Sequence, residues 1–210
     1  MLLLASASPR RRDLMTQAGF VFQVDSIPVA EERQSREDPM HFAQRLAREK
    51  AEVVYRARVE KYDASGEPLL VLGADTIVVC DEEVLGKPVD DDDAARMLRL
   101  LAGRTHQVIT GVCVISSAGV EVAAESTWVT MLTLSDEEIV SYIATAEPQG
   151  KAGAYAIQGR ASRWIPRIAG CYFNVVGLPL ALVSTMIEVA ERKLAVTDEM
   201  RAGDCRAMRS

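Results

Sequence analysis

The sequence predicts an α/β protein in which strands and helices alternate along the chain. Short apolar runs typical of buried strands alternate with longer segments whose apolar residues recur at helical spacing. Serine, aspartate, glycine and proline stand at most of the junctions, where helices begin and turns form. The length of 210 residues suits one domain, or two lobes that share a core.

The chain opens with a predicted strand, turn and helix. Leu2–Ala5 is a short apolar run, Ser8 is a favourable N-cap residue and Pro9 suits the first helical position. The helix is expected to end near Gly19. The elements predicted next are a strand over 20–24, a loop over 28–39, a helix over 40–60, a turn over 63–68 and strands over 69–72 and 76–80.

The second half of the chain continues the alternation. Four aspartates at 90–93 precede a helix over 94–101, and because acidic groups suit a helix N-terminus we favour that role over a metal site. The remaining predicted elements are strands over 106–116 and 120–132, a capping-box helix from Ser135 to 144, a loop over 150–159, a strand over 174–178 and a helix over 179–194. Residues 1–194 are expected to form one domain, followed by a polar, frayed tail over 195–210.

The composition argues against several classes of protein. The net charge of -6 does not suit a protein that coats nucleic acid, and the four cysteines form no CxxC pair that would indicate a zinc cluster or redox dithiol. The longest apolar stretch, over 175–189, is too short to span a bilayer, and the N-terminal leucines precede the arginines, the reverse of a secretion signal. We therefore expect a cytoplasmic protein with neither nucleic acid nor membrane as a partner.

The segment Ser6-Ala7-Ser8-Pro9-Arg10-Arg11-Arg12 has two interpretations. It resembles an anion site, because a helix N-terminus offers free N–H groups and guanidinium groups bind phosphate oxygens. Three cations there also oppose the helix dipole unless an anion lies nearby. A solvated basic first turn fits the pattern equally well.

Asp75 is a candidate catalytic carboxylate, because it lies between two apolar runs where a strand is expected to break near a sheet end. On pattern alone, a turn aspartate that accepts local N–H groups is favoured. Lys50 shares a helix face with Leu46, so it either extends along the apolar surface to water or holds a ligand anion. Lys87 lies on a turn near the strand pair and by itself is typical of a surface lysine.

Other polar residues give weaker signals. Glu31 and Glu32 lie in a charged loop where carboxylate oxygens suit Mg²⁺, but solvated loop carboxylates are the usual case. Gln158 offers the donor and acceptor atoms that read a nucleobase edge, but a loop glutamine is the more common explanation. His41 and His106 stand alone in the sequence, which favours structural roles.

Six segments occur in an order and spacing that are specific when taken together. They are Ser6-Ala7-Ser8-Pro9-Arg10-Arg11, Leu46-Ala47-Arg48-Glu49-Lys50-Ala51, Gly73-Ala74-Asp75-Thr76, Leu85-Gly86-Lys87-Pro88, Tyr155-Ala156-Ile157-Gln158-Gly159 and Asn174-Val175-Val176-Gly177-Leu178-Pro179. Over residues 2–188 the chain resembles the Maf family of nucleoside triphosphate pyrophosphatases.

The resemblance implies a twisted mixed β-sheet flanked by helices, with a cleft between two lobes, similar to the inosine triphosphate pyrophosphatases. It implies hydrolysis of a nucleoside triphosphate between its α and β phosphates, to the monophosphate and pyrophosphate. It also implies a divalent metal cation, Mg²⁺ or Mn²⁺, as cofactor, and a cytoplasmic homodimer.

The resemblance also implies roles for single residues. Asp75 matches the family's proton acceptor, and Thr76 and Gln158 match residues that help to select the base. Arg10 matches a residue that contributes to substrate choice. The remaining matches lie around the triphosphate and comprise Ser8, Arg11, Lys50 and Lys87.

The metal loop departs from the family pattern. Glu31 matches a family acid, but the family often has a second acid directly before it, where this chain has Ala30. Glu32 is the neighbouring acid available to replace it.

The branch of the family is indicated by Lys151-Ala152-Gly153-Ala154-Tyr155 ahead of Ile157-Gln158-Gly159, which resembles enzymes acting on dTTP and UTP. Modified pyrimidine nucleotides are then further expected targets, in a house-cleaning role. Two alternatives stay open: a preference for 7-methyl-GTP or CTP, and a nucleotide-binding inhibitor of septum formation without turnover.

Overall fold

The computed structural model describes the backbone of residues 1–207 and the side chains as far as residue 197. Within these residues seven strands form one mixed sheet flanked by helices, which confirms the predicted α/β fold. The strands are β1 (Leu2–Ala5), β2 (Gln23–Val24), β3 (Leu70–Cys80), β4 (Glu83–Leu85), β5 (Thr105–Ser116), β6 (Gly119–Thr130) and β7 (Arg167–Ala169). The helices are α1 (Pro9–Gln17), α2 (Pro39–Ser65), α3 (Asp91–Leu101), α4 (Asp136–Ile143), α5 (Tyr172–Val176) and α6 (Leu180–Ala207), with 3-10 helices at Ala152–Ala154 and Arg160–Trp164.

Strand β3 changes partners along one edge. In the sheet order β2-β1-β3-β5-β6-β7, parallel β1 pairs with Leu70 to Gly73, and antiparallel β4 pairs with Val78 to Cys80. Residues 74–77 therefore have no strand partner on that edge within the described chain, while β5 pairs along the opposite edge. This gap opens the sheet at the point where the chain leaves β1.

Two glycines let α2 lie very close to the sheet. A Cβ atom at Gly73 would stand 2.2 Å from the carbonyl oxygen of Ala47, and a Cβ at Gly111 would stand 2.2 Å from that of Ala43. Gly111 is the β5 partner of Asp75. Because residues two apart in a strand share a face, Asp75 lies on the same side of β3 as Gly73 and faces α2.

Two packed cores lie on either side of the gap. Leu14 of α1 and Val183 of α6 belong to one core, together with the first part of β3. Leu98 of α3 and Tyr142 of α4 belong to the other, together with the last part of β3. The cores form two lobes with the gap between them, in agreement with the predicted two-lobed fold.

Four predicted strands differ from the structure. The strands predicted over 69–72 and 76–80 are one strand, because Gly73 allows the contact with α2 and does not form a turn. Residues 174–176, predicted as strand, belong to α5: Asn174 is buried and donates to the Val108 carbonyl, and Gly177, with a φ of 125°, follows the helix. The strand predicted over 20–24 contains only Gln23–Val24.

Some elements were not predicted at all. Strands β4 and β7 have three residues each, and the 3-10 helices have three and five, which is too short for a periodic pattern to show. The last helix was predicted to end at 194 but continues to Ala207, so residues 195–207 are helical and not a frayed tail. Residues 208–210 of the predicted tail lie outside the described residues. In the part of the chain that was described, no helix is long and apolar enough to cross a membrane.

The predicted starts of α1 and α4 are confirmed, whereas α3 begins at Asp91, three residues before the predicted start at 94, because Asp90 is its N-cap. Ser8 is the N-cap of α1, although its side chain makes no capping hydrogen bond. Asp90 caps α3 by accepting from the Asp93 N–H at 2.8 Å, and the next aspartates fill the first turn. Ser135 and Glu138 form the predicted capping box of α4.

Candidate active site

A cleft of about 730 Å³ lies at the gap in β3, between the two lobes. It is lined by all nine residues that the sequence singled out as a site: Ser8, Arg10, Arg11, Glu31, Lys50, Asp75, Thr76, Lys87 and Gln158. Glu32, the acid suggested as a replacement for Ala30, does not line the cleft, and its carbonyl oxygen accepts a hydrogen bond from Arg45.

A chain of charged side chains forms one wall of the cleft, which we call the charged wall (Glu31, Lys50, Asp75 and Lys87). Lys50 of α2 donates to Glu31 Oε1 at 2.6 Å and to Asp75 Oδ1 at 2.5 Å. Lys87 donates to Glu31 Oε2 at 2.8 Å. Asp75 is 6% exposed, so Lys50 balances a carboxylate that is otherwise taken out of water. The close approach of α2 at Gly73 and Gly111 is what brings Lys50 within reach.

Glu31 carries its charge at all ordinary pH values. Partial burial raises the pKa of this carboxyl, but the hydrogen bonds from Lys50 and Lys87 outweigh burial and lower the pKa to about 2. The charged wall therefore holds two carboxylates that meet at one ammonium group.

Arg11 is buried under the cleft and is bonded to the protein itself. Its Nε donates to the Gly177 carbonyl at 2.8 Å, and its Nη1 donates to Ser6 Oγ at 3.2 Å and to the Ala74 carbonyl at 2.9 Å. Its Nη2 donates to Thr76 Oγ1 at 2.9 Å. The Ala74 carbonyl belongs to the unpaired edge of β3, so Arg11 satisfies a backbone group that no strand covers. The predicted contact of Arg11 with a triphosphate stays a prediction. Its hydrogen bonds connect Ser6 after β1, Ala74 of β3 and Gly177 after α5, and no sequence pattern indicated this.

Arg10 and Lys151 line the cleft as two partly buried cations. Burial lowers the pKa of Arg10, and burial together with the neighbouring charge of Arg10 lowers the pKa of Lys151. Two cations that lose water and repel each other favour an anion in the cleft. Lys151 was noted in the sequence only as part of a branch signature, and nothing in the pattern gave it a place at the site.

Gln158 lies on the other wall of the cleft, in a stretch we call the Gln158 segment (residues 156–160). Its side chain is exposed to the cleft opening. Tyr155, directly before the segment, is held by a 2.8 Å hydrogen bond between its hydroxyl and His106 Nε2. Burial lowers the pKa of His106 to about 4, so the ring is neutral and its role is structural, as predicted.

The Thr76 hydroxyl connects β3 to the neighbouring strand β5 and to Arg11. It contacts Thr110 Oγ1 at 2.9 Å in addition to Arg11. Thr110 in turn donates to the Asn174 carbonyl at 3.3 Å. No sequence pattern indicated a role at the site for Thr110 or Asn174, because their contacts join segments that are far apart in the chain.

Comparison with known proteins identifies the family of the chain. The family model described as Maf-like protein matches residues 1–190. A protein of Koribacter versatilis named dTTP/UTP pyrophosphatase is 53% identical over 189 residues, which cover 90% of this chain and 94% of that protein. One of the same name from Syntrophomonas wolfei is 48% identical over 186 residues, covering 88% and 94%.

Among solved structures, a nucleoside-triphosphatase / dITP/XTP pyrophosphatase of Mycobacterium abscessus covers 62% of this chain and 73% of its own, with 13% identity and a TM-score of 0.32. That likeness is too distant to bear on the fold or the function. The family model and the relatives, in contrast, each match most of the chain. The chain belongs to the Maf family.

Proposed function

We propose that this chain is a nucleoside triphosphate pyrophosphatase that hydrolyses dTTP and UTP to the monophosphate and pyrophosphate. The relatives at 53% and 48% identity carry that activity in their names. The observation in the structure that carries the proposal is the charged wall, where Glu31 and Asp75 meet at Lys50 inside a cleft that also presents Arg10. Modified pyrimidine triphosphates are the further substrates we propose, in a house-cleaning role.

Asp75 is the residue we assign as proton acceptor. Lys50 fixes its Oδ1, which leaves Oδ2 for the attacking water. The water oxygen forms a bond to the α phosphorus. The bond between the α phosphorus and the oxygen that bridges the α and β phosphates breaks, and pyrophosphate leaves with that oxygen. The proton of the water passes to Asp75.

Basic side chains supply the electrostatic part of the mechanism. A triphosphate carries several negative charges, and its leaving group gains charge as the bond breaks. Arg10, Lys50 and Lys87 lie along the cleft where they neutralise that charge, and preorganised cations in a site with little water act more strongly than in solution.

The donor set fits a divalent metal that arrives with the substrate. Mg²⁺ is usually held by one or two carboxylates together with substrate phosphates, and Glu31 and Asp75 already place one oxygen each on a single cation, Lys50 Nζ. No group of three or more acidic, histidine or cysteine side chains among the described residues forms a metal cage. We therefore propose that Glu31 would be the protein ligand of Mg²⁺ or Mn²⁺, with substrate phosphates completing the set of ligands. When bound, the ion neutralises phosphate charge and lowers the pKa of a bound water.

The test is a panel of nucleotides with Mg²⁺ or Mn²⁺, in which pyrophosphate, orthophosphate and nucleoside monophosphate are measured separately. We expect pyrophosphate and monophosphate in equal amounts, with dTTP and UTP turned over faster than CTP, GTP or 7-methyl-GTP. Diphosphate and orthophosphate as the only products would rule out the proposed reaction. Binding of dTTP without turnover would support the alternative of a non-catalytic division inhibitor.

Two aspartate variants show whether this cleft performs the reaction. Asp75→Asn keeps the size of the side chain and removes the proton acceptor, so turnover should fall by about 10²–10⁴. Asp13→Asn is the matched control, because the Asp13 side chain is 72% exposed on α1 and outside the cleft. Equal activity of the two variants would remove Asp75 from the mechanism.

We also propose a cytoplasmic homodimer, as the family resemblance implies. The exposed aromatic side chains of Trp128, Tyr172 and Phe173 supply apolar surface for such an interface. Light scattering on the purified protein should give twice the mass of the chain, and the mass of a single chain would contradict the dimer.

A further inference from the structure

The Gln158 segment must be held in place for its amide to discriminate between bases. A glutamine amide offers a donor and an acceptor at similar positions, and rotation by half a turn exchanges them. UTP and CTP differ in the same way: the uracil of UTP presents an N–H donor and a carbonyl acceptor, where the cytosine of CTP presents an acceptor nitrogen and an amino donor. Because a free amide adapts to both edges, selection depends on what fixes the amide and its backbone.

Tyr142 and Glu147 bind the backbone at both ends of the segment. The Tyr142 hydroxyl accepts a hydrogen bond from the Ala156 N–H at 3.1 Å. Glu147 Oε2 accepts one from the Arg160 N–H at 3.1 Å. The same two side chains are joined, because the Tyr142 hydroxyl donates to Glu147 Oε1 at 2.8 Å.

Packing adds to these hydrogen bonds. A Cβ atom at Gly159 would stand 2.1 Å from Glu147 Oε1, so the carboxylate lies directly against the backbone of the segment. Tyr142 is 2% exposed, and its ring meets Trp164 edge to face at 5.2 Å between centroids. The hydroxyl is therefore fixed by the core of the α3–α4 lobe, and the segment is fixed to that lobe.

We propose that Tyr142 and Glu147 are positioning residues for base selection, which hold the Gln158 segment so that the cleft prefers the uracil or thymine edge to the cytosine edge. Neither side chain lines the cleft, so each acts through the segment and not by contact with the nucleotide. This inference rests on the proposed hydrolysis of UTP and assigns the specificity of that same site.

The first test compares kcat/KM for UTP with that for CTP. Tyr142→Phe keeps the ring against Trp164 and removes only the hydroxyl, and loss of a buried partner should lower the UTP-to-CTP ratio about tenfold. Glu138→Gln is the matched control, since Glu138 is also on α4 but bonds Trp164 and Ser135 and not the segment, and its ratio should stay within about twofold of the wild type. A folded Tyr142→Phe protein with an unchanged ratio would overturn the proposal.

The second test is a double-mutant cycle that separates positioning from general damage. Gly159→Ala places a Cβ against Glu147 and should lower the UTP-to-CTP ratio by itself. In a Glu147→Ala background the obstacle is gone, so the further loss on adding Gly159→Ala should be much smaller. Losses that simply multiply would show that Glu147 and Gly159 act independently, and this would contradict the proposal.

The third test does not depend on catalysis. Amide hydrogen exchange by NMR should show protected N–H groups at Ala156 and Arg160 in the wild type, and Glu147→Ala should speed exchange at Arg160 by about tenfold or more. If the wild type fails to hydrolyse UTP while Arg160 exchange responds, the proposed function fails and the positioning contact stands. If UTP is hydrolysed and neither the exchange nor the ratio responds, the positioning role is wrong and the function stands.

Discussion

The two walls of the cleft are built in different ways. The charged wall is held by ion pairs between side chains, and its members come from the regular elements α2 and β3 and from loops that reach them. The Gln158 segment is held through its backbone, by a hydroxyl and a carboxylate from α4 and the turn after it. On the proposals above, the charge for the reaction is supplied by the type of side chain, whereas base selection depends on the contacts that fix an irregular backbone segment.

The comparison extends to two neighbouring arginines. Arg11 is buried and makes four hydrogen bonds to the protein, whereas Arg10 lines the cleft as a partly buried cation. Adjacent residues of one motif therefore differ in their surroundings: Arg11 is bonded to the chain around Ser6, Ala74 and Gly177, and Arg10 lines the cleft.

The largest stability effect should come from Arg11. Arg11→Met leaves the Gly177 and Ala74 carbonyls without their donor, so the free energy of unfolding should fall by about 3 kcal/mol or more. Arg10→Met is the matched control, with a change within about 0.5 kcal/mol and a roughly tenfold weaker affinity for dTTP. Urea unfolding and calorimetry measure the two effects. A stable Arg11→Met protein with weak dTTP binding would instead place Arg11 among the ligand contacts.

A smaller loss of stability should follow from Gly111→Ala. The added Cβ would meet the Ala43 backbone of α2, and overpacking of this kind costs about 1–3 kcal/mol. Because α2 carries Lys50, turnover should fall as well. Gly86→Ala is the control for stability, since a Cβ there has no atom within 4 Å. Equal urea midpoints for the two variants would show that α2 does not depend on the glycine.

The smallest effect concerns the dependence of stability on pH. Burial lowers the pKa of His106 from 6.5 to about 4, so between these pH values the unfolded chain takes up a proton that the folded chain does not. The free energy of unfolding is therefore unaffected by titration of this histidine above pH 6.5 and declines as the pH falls toward 4. Glu31, with a pKa lowered from 4.5 to about 2, stabilises the fold above pH 4.5 and loses this contribution only below it.

As the pH falls, protonation of His106 should lower the free energy of unfolding before protonation of Glu31 does. Urea unfolding between pH 7 and pH 5 should show a smaller loss of stability for His106→Gln than for the wild type, because glutamine does not titrate. Glu31→Gln should follow the wild-type slope over this range. Equal slopes for His106→Gln and the wild type would contradict the neutral, buried histidine.

Sequence patterns predicted most of the regular elements, and the family resemblance named nine residues that line the cleft, but neither indicated which contacts hold those residues in place. Gly73-Ala74-Asp75 resembles a turn in the sequence, and only the structure shows that Gly73 lies within β3 in contact with α2. Tyr142 and Glu147 belong to a different element from Gln158, so no local spacing connects them. The charged residues of a motif can be identified within one segment of sequence, whereas hydrogen bonds between distant segments depend on the tertiary fold.

One measurement tests the division between reaction and selection most directly: kcat/KM for UTP and for CTP in Asp75→Asn and Tyr142→Phe side by side. We expect Asp75→Asn to lower both values by about 10²–10⁴ and to leave their ratio unchanged. We expect Tyr142→Phe to lower the ratio about tenfold and to retain most of the turnover of CTP. A changed ratio in Asp75→Asn, or an equal loss for both nucleotides in Tyr142→Phe, would contradict the account.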